Sequence, residues 1–283
     1  MGWRRHFLSP AGQSASYFFN AMTTISNTLL PKVGEYDFLA EPFHCDLLNR
    51  LFVGHLGNHM LNAADFHSND RGYGMHYLNT IHKTWVLSRL VIDIERLPKA
   101  YQHFTVQTWV EGVMRYFTDR DFAILATDGT PYGYGRSVWA MIDTDTRQPT
   151  DIMAINNALI SQYVEKEKPC PIDKISRVKM GAEAEYARTI NTSYSDVDIN
   201  GHINSVKYIE HVLDLWPVQW HATHRVQRLE VAYVAEAHGG DQLLFYRQPA
   251  AEPDTWYVRI VKKEANKEEN VEVCRCKVKF VKE

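Results

Sequence analysis

The sequence has few cysteines, no long apolar run and no excess of one charge, and each absence excludes a class of protein. Four cysteines in 283 residues do not make a disulfide framework or complete a zinc site, so we expect no metal. No run approaches the roughly 20 apolar residues that span a membrane, so no membrane partner is expected. The formal net charge of -3 disfavours general binding to nucleic acid.

Acidic residues are missing from the start of the chain, where the first is Glu35. We interpret residues 1–34 as a disordered leader outside the folded part. Acid-poor starts that contain Arg and Ser are also typical of organelle transit segments, and this alternative stays open. The predicted location is the cytoplasm, with the plastid as the alternative if the leader is a transit segment.

The chain contains one unit twice, because similar segments recur at a constant spacing. Residues 89–110 resemble residues 228–249, and the first residue of each segment is an arginine, 139 positions apart. The same spacing relates Arg120 to Arg259. A constant spacing over about fifty residues indicates an internal repeat.

Each unit begins with an apolar helix and continues with strands rich in β-branched and aromatic residues. The apolar spacing predicts helices over about Asp46–Ala64 and Ser205–Trp216, and Pro217 ends the second. The order of elements predicts an α+β fold in which two units lie side by side and their sheets join. The predicted strands cover residues 84–95, 103–113, 117–126, 132–143, 226–234, 241–248, 255–263 and 270–281.

The repeat also predicts the domain boundaries. Residues 35–150 form the first unit and residues 188–283 the second. Residues 151–187 form a charged and Pro-containing linker with a short helix near 152–163. Residues 66–79 form an irregular insertion with glycine, which makes them a candidate lid.

Polar side chains alternate with apolar residues and glycine just before the second helix. In an extended chain such side chains share one face, so carboxylate, amide and imidazole groups would project together. Asn204 is the predicted N-cap, and the free N–H groups of the helix start could stabilise a developing oxyanion. The pattern suits acyl transfer to water, although turn and cap residues also produce it without any chemistry. The polar residues are Asp196, Asp198, Asn200 and His202.

Two further places carry candidate groups. Glu236 follows an apolar strand, and burial in an apolar pocket would raise the pKa of its carboxyl and suit it to act as a general base. An exposed carboxylate at a strand end is the alternative. His55 and His59 are one helical turn apart, but no H-E-x-x-H pattern accompanies them, so we interpret them as a polar helix edge rather than a metal site.

The residues from Asp196 to Tyr208 read D-x-D-x-N-x-H-x-N-x-x-K-Y, and this stretch resembles the signature of the acyl-acyl carrier protein thioesterases of plants and bacteria. The segments 85–98 and 136–149 (WVLSRLVIDIERLP and RSVWAMIDTDTRQP) resemble the first half of that family. The segment 228–241 (RLEVAYVAEAHGGD) resembles a strand of its second half. The resemblance extends over residues 35–281.

The resemblance implies a tandem hotdog fold, in which each of two long helices is wrapped by an antiparallel sheet. Plant members often carry a cysteine after the residue that aligns with Glu236, whereas this sequence has Ala237. If the alignment holds, a cysteine nucleophile is excluded and activated water becomes the better hypothesis. The implied catalytic residues are Asp198, Asn200, His202 and Glu236.

The first unit is expected to bind the acyl chain rather than to catalyse. A spacing of 151 residues relates the second helix start to the first, and it places mostly apolar residues at the catalytic positions. The residues so aligned with Asp198, Asn200 and His202 are Leu47, Asn49 and Leu51, while the spacing of 139 aligns Glu236 with Leu97. The candidate substrate-binding residues in this unit are Leu51, His55 and His59.

We therefore predict hydrolysis of fatty acyl-[acyl carrier protein] thioesters to free fatty acid in fatty acid biosynthesis, without a cofactor. In this hypothesis Glu236 or His202 activates water, Asn200 polarises the thioester and Asp198 orients the cluster. An acyl-CoA thioesterase and a non-catalytic acyl-binding module are the alternatives. The predicted partner is acyl carrier protein, and a homodimer is possible. Candidate docking residues for the acidic carrier are Arg71, Lys83, Arg177, Lys179, Lys207 and Arg225.

Overall fold

A computed structural model of the chain describes residues 29–174, 178, 180, 184–263 and 270–283. The chain divides into two units, Met1–Leu30 and Pro31–Glu283, and the helices and strands given below belong to the second. Most of the predicted leader, residues 1–28, lies outside the described residues, as do the docking candidates Arg177 and Lys179. The domain boundaries stay predictions.

The strands of the described residues form one antiparallel sheet. They are β1 (Gly34–Leu39), β2 (Lys83–Ile94), β3 (His103–Val113), β4 (Phe117–Ala126), β5 (Pro131–Asp143), β6 (Glu185–Asn191), β7 (His224–Tyr233), β8 (Gln242–Pro249), β9 (Thr255–Lys263) and β10 (Val271–Lys282). Their order across the sheet is β1-β3-β4-β5-β2-β7-β10-β9-β8-β6. The eight predicted strands are confirmed within two residues at each end. The prediction lacks β1 and β6, the two edge strands.

The sheet has a seam between β2 and β7, where a first half (β1–β5) meets a second half (β6–β10). The pairing runs from Arg89 opposite Ala232 to Asp93 opposite Arg228. The Arg228 guanidinium donates to the Asp93 carboxylate at 2.9 Å across the seam. Strands β2–β5 and β7–β10 follow the same order outward from the seam, and each pair starts within two residues of the spacing of 139 that the sequence repeat predicts.

The helices are α1 (Val53–Asp70), α2 (Met75–Leu78), α3 (Ser205–Leu213) and α4 (Val218–His221). The prediction that the first helix begins at Asp46 is wrong. The Asp46 carboxylate instead accepts the backbone N–H groups of Leu48 and Arg50, both at 2.9 Å. Such side-chain-to-backbone bonds compete with helix formation, so α1 begins only after this loop. The second helix ends three residues before the predicted Trp216.

The predicted irregular insertion at residues 66–79 is largely helical, because α1 continues to Asp70 and α2 follows it. In the linker, two short 3-10 helices cover Ile152–Ala154 and Asn156–Tyr163, where the sequence predicts a short helix. The candidate lid is therefore a packed part of the first half. Within the described ranges, no helix is long and apolar enough to cross a membrane.

The two long helices, α1 and α3, cross within a hydrophobic core that both halves share. Gly57 lies at the crossing, where a Cβ atom would make an ordinary contact of 3.6 Å with the Val206 side chain. At Gly54 it would lie 2.7 Å from Cγ of Glu210, so Glu210 would have to move. Ile209 is fully buried at this crossing, and burial of such a side chain stabilises the fold by roughly 1.5–3 kcal/mol. The crossing holds the start of α3 against the first half.

Candidate active site

The polar segment before α3 folds into a tight loop, residues 197–203, that an isolated backbone bridge closes; we call it the α3 loop. The Asp198 carboxylate accepts the backbone N–H of Asn200 at 2.8 Å and of His202 at 3.4 Å. The Asp198 N–H donates to the His202 carbonyl at 2.8 Å. Gly201 takes a left-handed conformation, with φ of 79°, at the turn. The extended segment predicted from the sequence is therefore wrong, because Asp198 folds the backbone around its own carboxylate.

Asp196 is buried, and its side-chain contacts stabilise the local fold. Its carboxylate accepts the backbone N–H of Ser193 at 2.7 Å and lies 2.9 Å from His211 Nε2. Only 6% of Asp196 is exposed. The prediction that Asp196 projects together with Asp198 and His202 is wrong, since a capped turn and not a strand precedes the α3 loop.

The structure brings His202 and Glu236 together. His202 Nε2 lies 3.3 Å from Glu236 Oε2, and Glu236 Oε1 forms an ion pair with Arg147 Nη2. The Glu236 side chain is 36% exposed, so the apolar pocket expected around this carboxylate is absent. The His238 ring packs edge-on against His202, with ring centroids 5.0 Å apart. Carboxylate and imidazole together can accept a proton from a water molecule bound beside them.

Asn204 caps α3 as predicted, and its side chain accepts the backbone N–H of Val206 at 2.9 Å. The start of a helix carries N–H groups without intrahelical partners and the positive end of the helix dipole. His202 and the exposed amide of Asn200 lie within a few residues of this start. The arrangement can therefore stabilise negative charge on a carbonyl oxygen under attack.

No cysteine side chain contacts His202 or Glu236 within the described part of the chain. Ala237, which follows Glu236, is buried, and its carbonyl accepts the Ile203 N–H at 2.9 Å. This bond ties the α3 loop to the segment that carries Glu236. Cys274 lies buried in β10, and burial raises the pKa of its thiol well above the ordinary value. The geometry supports water rather than a thiolate as the nucleophile.

The first half contains a second copy of the loop, residues 45–51, which we call the α1 loop. The Asp46 carboxylate accepts the backbone N–H groups of Leu48 and Arg50 at 2.9 Å, as Asp198 does in the α3 loop. Asn49 has a φ of 63° and takes the place of Gly201. An isolated bridge closes this loop as well.

The two loops are related by 152 residues, and the predicted spacing of 151 is wrong by one. Hydrogen bonds from Leu51 N–H to the Pro98 carbonyl and from Ile203 N–H to the Ala237 carbonyl confirm the new alignment. The first half thus keeps the loop-forming aspartate but lacks the amide, imidazole and second carboxylate. The residues that correspond to Asp198, Asn200, His202 and Glu236 are Asp46, Leu48, Arg50 and Leu97.

Arg50, which corresponds to His202 in the first half, forms contacts that stabilise the fold. Its Nε donates to Asp46 at 2.9 Å and its Nη2 to the His221 carbonyl at 3.0 Å. Its Nη1 forms an ion pair with Glu283, which follows β10 of the second half. The α1 loop therefore joins the halves instead of presenting groups for catalysis.

The residues predicted to bind substrate are placed elsewhere. Leu51, the last residue of the α1 loop, is fully buried. His55 stacks on His44 with ring centroids 3.9 Å apart, and burial lowers the pKa of His55. His59 packs against Phe38, and burial lowers its pKa too. None of the three lines the cavity between α1 and the sheet.

That cavity has a volume of about 100 Å³ and lies on the inner face of the first half. Trp85 in β2 and Trp139 in β5 stand on the side nearer the seam, whereas Arg120 in β4 lies farther from it. Arg120 is 4% exposed and donates to Thr108 Oγ1 at 3.1 Å and Ser68 Oγ at 3.0 Å. Burial lowers the pKa of its guanidinium. The remaining lining residues are Ala64, Asp65, Met75, Thr118 and Ile160.

Comparison with known proteins gives two family matches along the chain. Residues 36–159 match the model of the acyl-ACP thioesterase N-terminal domain, and residues 180–282 match that of the acyl-ACP thioesterase C-terminal domain. Among curated proteins, the chain is 27% identical over 198 residues to the chloroplastic oleoyl-acyl carrier protein thioesterase of Coriandrum sativum. That match covers 65% of this chain and 52% of the coriander protein, so the chain spans about half the length of this relative.

Solved structures share the fold over most of the chain. An acyl-ACP thioesterase from Bacteroides thetaiotaomicron is 47% identical, with a TM-score of 0.81 that covers 88% of this chain and 98% of the other. The 12:0-ACP thioesterase from Umbellularia californica is 18% identical, with a TM-score of 0.76 over 90% of this chain and 100% of the other. The latter likeness shows the fold alone. The predicted α+β class with a tandem hotdog fold is confirmed.

Proposed function

The chain belongs to the acyl-ACP thioesterase family, and from that premise we propose that it hydrolyses fatty acyl thioesters of acyl carrier protein. The products are a free fatty acid and the thiol of the carrier's phosphopantetheine arm. The observation that carries the proposal is the contact of His202 Nε2 with Glu236 Oε2 at the start of α3, 3.3 Å apart. It joins a proton acceptor to an electropositive helix start, which are the two parts that acyl transfer to water needs.

The reaction begins when water attacks the thioester carbon. Glu236 and His202 act as one unit that takes the proton from the water, and the carbon–sulfur bond then breaks with protonation of the sulfur. The Asn200 amide polarises the carbonyl, helped by N–H groups at the start of α3. Asp198 touches the backbone of the α3 loop and positions Asn200 and His202.

The acyl chain occupies the cavity of the first half in this proposal. Trp85 and Trp139 supply apolar surface on the side of the seam, and Glu236 follows β7 across that seam. At about 100 Å³ the cavity admits only a few methylene groups as it stands. Longer chains require residues that line this cavity, such as Met75, to move, because packed interiors leave few voids.

The proposed partner, acyl carrier protein, is acidic and should meet cations near the site. Arg71 is not a suitable docking residue, since it is 6% exposed and donates to the Pro31 carbonyl. Lys83, Lys207 and Arg225 each contact a residue of this chain, at 2.5 Å for Lys83 with Asp143. Arg147 is also paired within the chain, with Glu236, but its side chain is 47% exposed against 19% for Lys83, 31% for Lys207 and 21% for Arg225. A homodimer and a cytoplasmic location stay predictions, with the plastid as the alternative.

Steady-state hydrolysis tests the proposal. The wild-type protein is assayed with acyl carrier protein loaded with saturated chains of 8 to 18 carbons, and with CoA esters of the same chains. We expect a higher kcat/KM for the carrier substrates. His202→Ala and Glu236→Gln should each lower kcat by about 10²–10⁴. His103→Ala, at an exposed position in β3, is the matched control.

Each outcome discriminates between functions. Preference for CoA esters would favour an acyl-CoA thioesterase instead. Binding of an acyl chain without release of thiol would favour a non-catalytic acyl-binding module. Near-normal kcat in the His202→Ala protein would contradict the assigned site.

A further inference from the structure

We propose that Arg147, a residue of the first half, is a positioning residue for Glu236, so that the single active site is assembled from both halves. The inference rests on the proposed function, because Glu236 is part of the proposed proton acceptor. Neither the repeat nor the polar segment before α3 points to Arg147. The ion pair between Arg147 and Glu236 joins residues 89 positions apart.

Arg147 stands on a turn that is held in shape before any substrate arrives. The Asp143 carboxylate at the end of β5 accepts the N–H groups of Asp145 at 3.0 Å and Thr146 at 2.7 Å. The Arg147 N–H donates to the Asp143 carbonyl at 2.9 Å, and Arg147 has a φ of 60°. Lys83 Nζ lies 2.5 Å from the same carboxylate. These hydrogen bonds fix the backbone of the turn, and the Arg147 side chain extends from it across the seam to Glu236.

Each oxygen of Glu236 has its own partner. Oε1 pairs with Arg147 and Oε2 faces His202 Nε2 at 3.3 Å. A half-exposed glutamate without such a tether loses little by rotating into solvent. The guanidinium holds the carboxylate in the rotamer that keeps Oε2 on the imidazole.

The other charged groups around Glu236 do not replace Arg147. Lys262 Nζ donates to the backbone carbonyl of Glu236 at 3.2 Å and lies 3.8 Å from Asp241. His238 Nδ1 lies 3.9 Å from Asp241. These groups hold the backbone after β7, whereas the contact with Arg147 is made to the side chain.

A second ion pair between the halves lies near the α1 loop. There Glu283, which follows β10 of the second half, reaches Arg50 at the position of His202. The two ion pairs are not equivalent in position, because Arg50 belongs to the α1 loop whereas Glu236 follows β7 and lies outside the α3 loop. Both nevertheless join a residue that follows the last strand of one half to a residue of the other half.

A different role for Arg147 is binding of the phosphate of the phosphopantetheine arm. The two roles affect different kinetic constants. A positioning residue acts on kcat with any acyl thioester, whereas a phosphate ligand acts on KM and only with substrates that carry the phosphate. Acyl carrier protein substrates and an acyl N-acetylcysteamine thioester, which lacks the phosphate, therefore separate them.

The test compares Arg147→Gln and Arg147→Lys with wild type on both substrates. Arg115→Gln is the matched control, because Arg115 is 69% exposed and pairs with Asp151 away from Glu236. We expect Arg147→Gln to lower kcat about 10–100-fold on both substrates, as small displacements of catalytic groups do. Added guanidinium ion should restore part of the kcat of Arg147→Gln, and Arg147→Lys should lose less. Thermal unfolding confirms that the variants are folded.

Unchanged kcat in Arg147→Gln, or a rise in KM confined to the carrier substrate, would overturn the positioning role. An inactive wild-type protein would instead overturn the proposed function. The crystal structure of Arg147→Gln tests the inference even then. We expect Glu236 Oε2 to leave His202, and retention of that contact would contradict the inference.

Discussion

Asp46 and Asp198 occupy the same position in two copies of one loop, 152 residues apart. Each carboxylate accepts two backbone N–H groups of its own loop, those of Leu48 and Arg50 in one copy and those of Asn200 and His202 in the other. The shape of the loop therefore comes from the aspartate. In the proposed mechanism, the chemistry comes from the residues that the loop carries.

This pair provides a matched test of the role of Asp198. Asp198→Ala and Asp46→Ala should each lower the free energy of unfolding by about 1–3 kcal/mol, because backbone N–H groups lose their acceptor. Only Asp198→Ala should also lower kcat, by about 10²-fold, since His202 and Asn200 are displaced. Urea unfolding and steady-state kinetics measure the two effects. Equal loss of kcat in both variants would mean that reduced stability of the fold lowers kcat, and not the displacement of His202 and Asn200.

Arg120 should limit the length of the acyl chain. Its buried guanidinium forms the polar end of the cavity, and an apolar chain that reached it would disturb its bonds to Thr108 and Ser68. Arg120→Met should raise kcat/KM for chains two to four carbons longer relative to the preferred chain, by about tenfold. Arg259→Met, at the equivalent position of the second half, is the control and should leave the chain-length profile unchanged. An identical profile for wild type and Arg120→Met would place the chain elsewhere.

Asp121 should make the stability of the protein depend on pH. Burial raises the pKa of this carboxyl from 3.8 to about 7, against the lowering effect of Arg136 at 3.2 Å. The folded protein then holds the proton more tightly than the unfolded chain does. The stabilisation is complete below pH 3.8 and is lost as the pH rises through about 7. Asp121→Asn should therefore lose less Tm between pH 5 and pH 8 than wild type loses.

Thermal unfolding at both pH values checks this. Asp145→Asn, which removes a carboxylate that is 68% exposed, is the control and should retain the wild-type dependence. The same loss of Tm in Asp121→Asn and wild type would show that a group other than Asp121 causes the pH dependence of stability. Arg136 keeps Glu111 at 2.8 Å in the variant, so its charge stays paired.

The strands that the sequence predicts well are those paired on both sides. Their β-branched and aromatic residues alternate strongly because a neighbour packs on each edge. The strands β1 and β6 pair on one side only, and their sequences GEYDFL and EYARTIN carry too few apolar residues for this signal. The sequence predicts the start of α1 too early for a local reason, since the Asp46 carboxylate accepts N–H groups that a helix would otherwise use.

The candidate site was only partly predictable. The resemblance to a family names His202 and Glu236, and the structure brings their side chains together. Alternation along the chain wrongly groups Asp196 with them, because it assumes a strand where a capped turn stands. Arg147 carries no signal in its local sequence. Its proposed role depends on the seam between β2 and β7, across which the turn after β5 reaches Glu236 after β7.

The aspartate-closed loop has a consequence for how such proteins change over evolutionary time. The conformation of this loop depends on its aspartate and not on the proposed catalytic side chains. After a gene duplication, one copy of the loop can therefore keep catalytic residues while the other loses them. The proposed site implies that changes at the positions of Asn200, His202 and Glu236 inactivate one copy, and the α1 loop keeps its shape with Leu48, Arg50 and Leu97 there. The inactive copy can then acquire substitutions that determine substrate specificity, while the active copy retains the catalytic residues. Two repeated units can therefore take different functions without a change of fold, provided that the loop keeps its backbone conformation whichever side chains it bears.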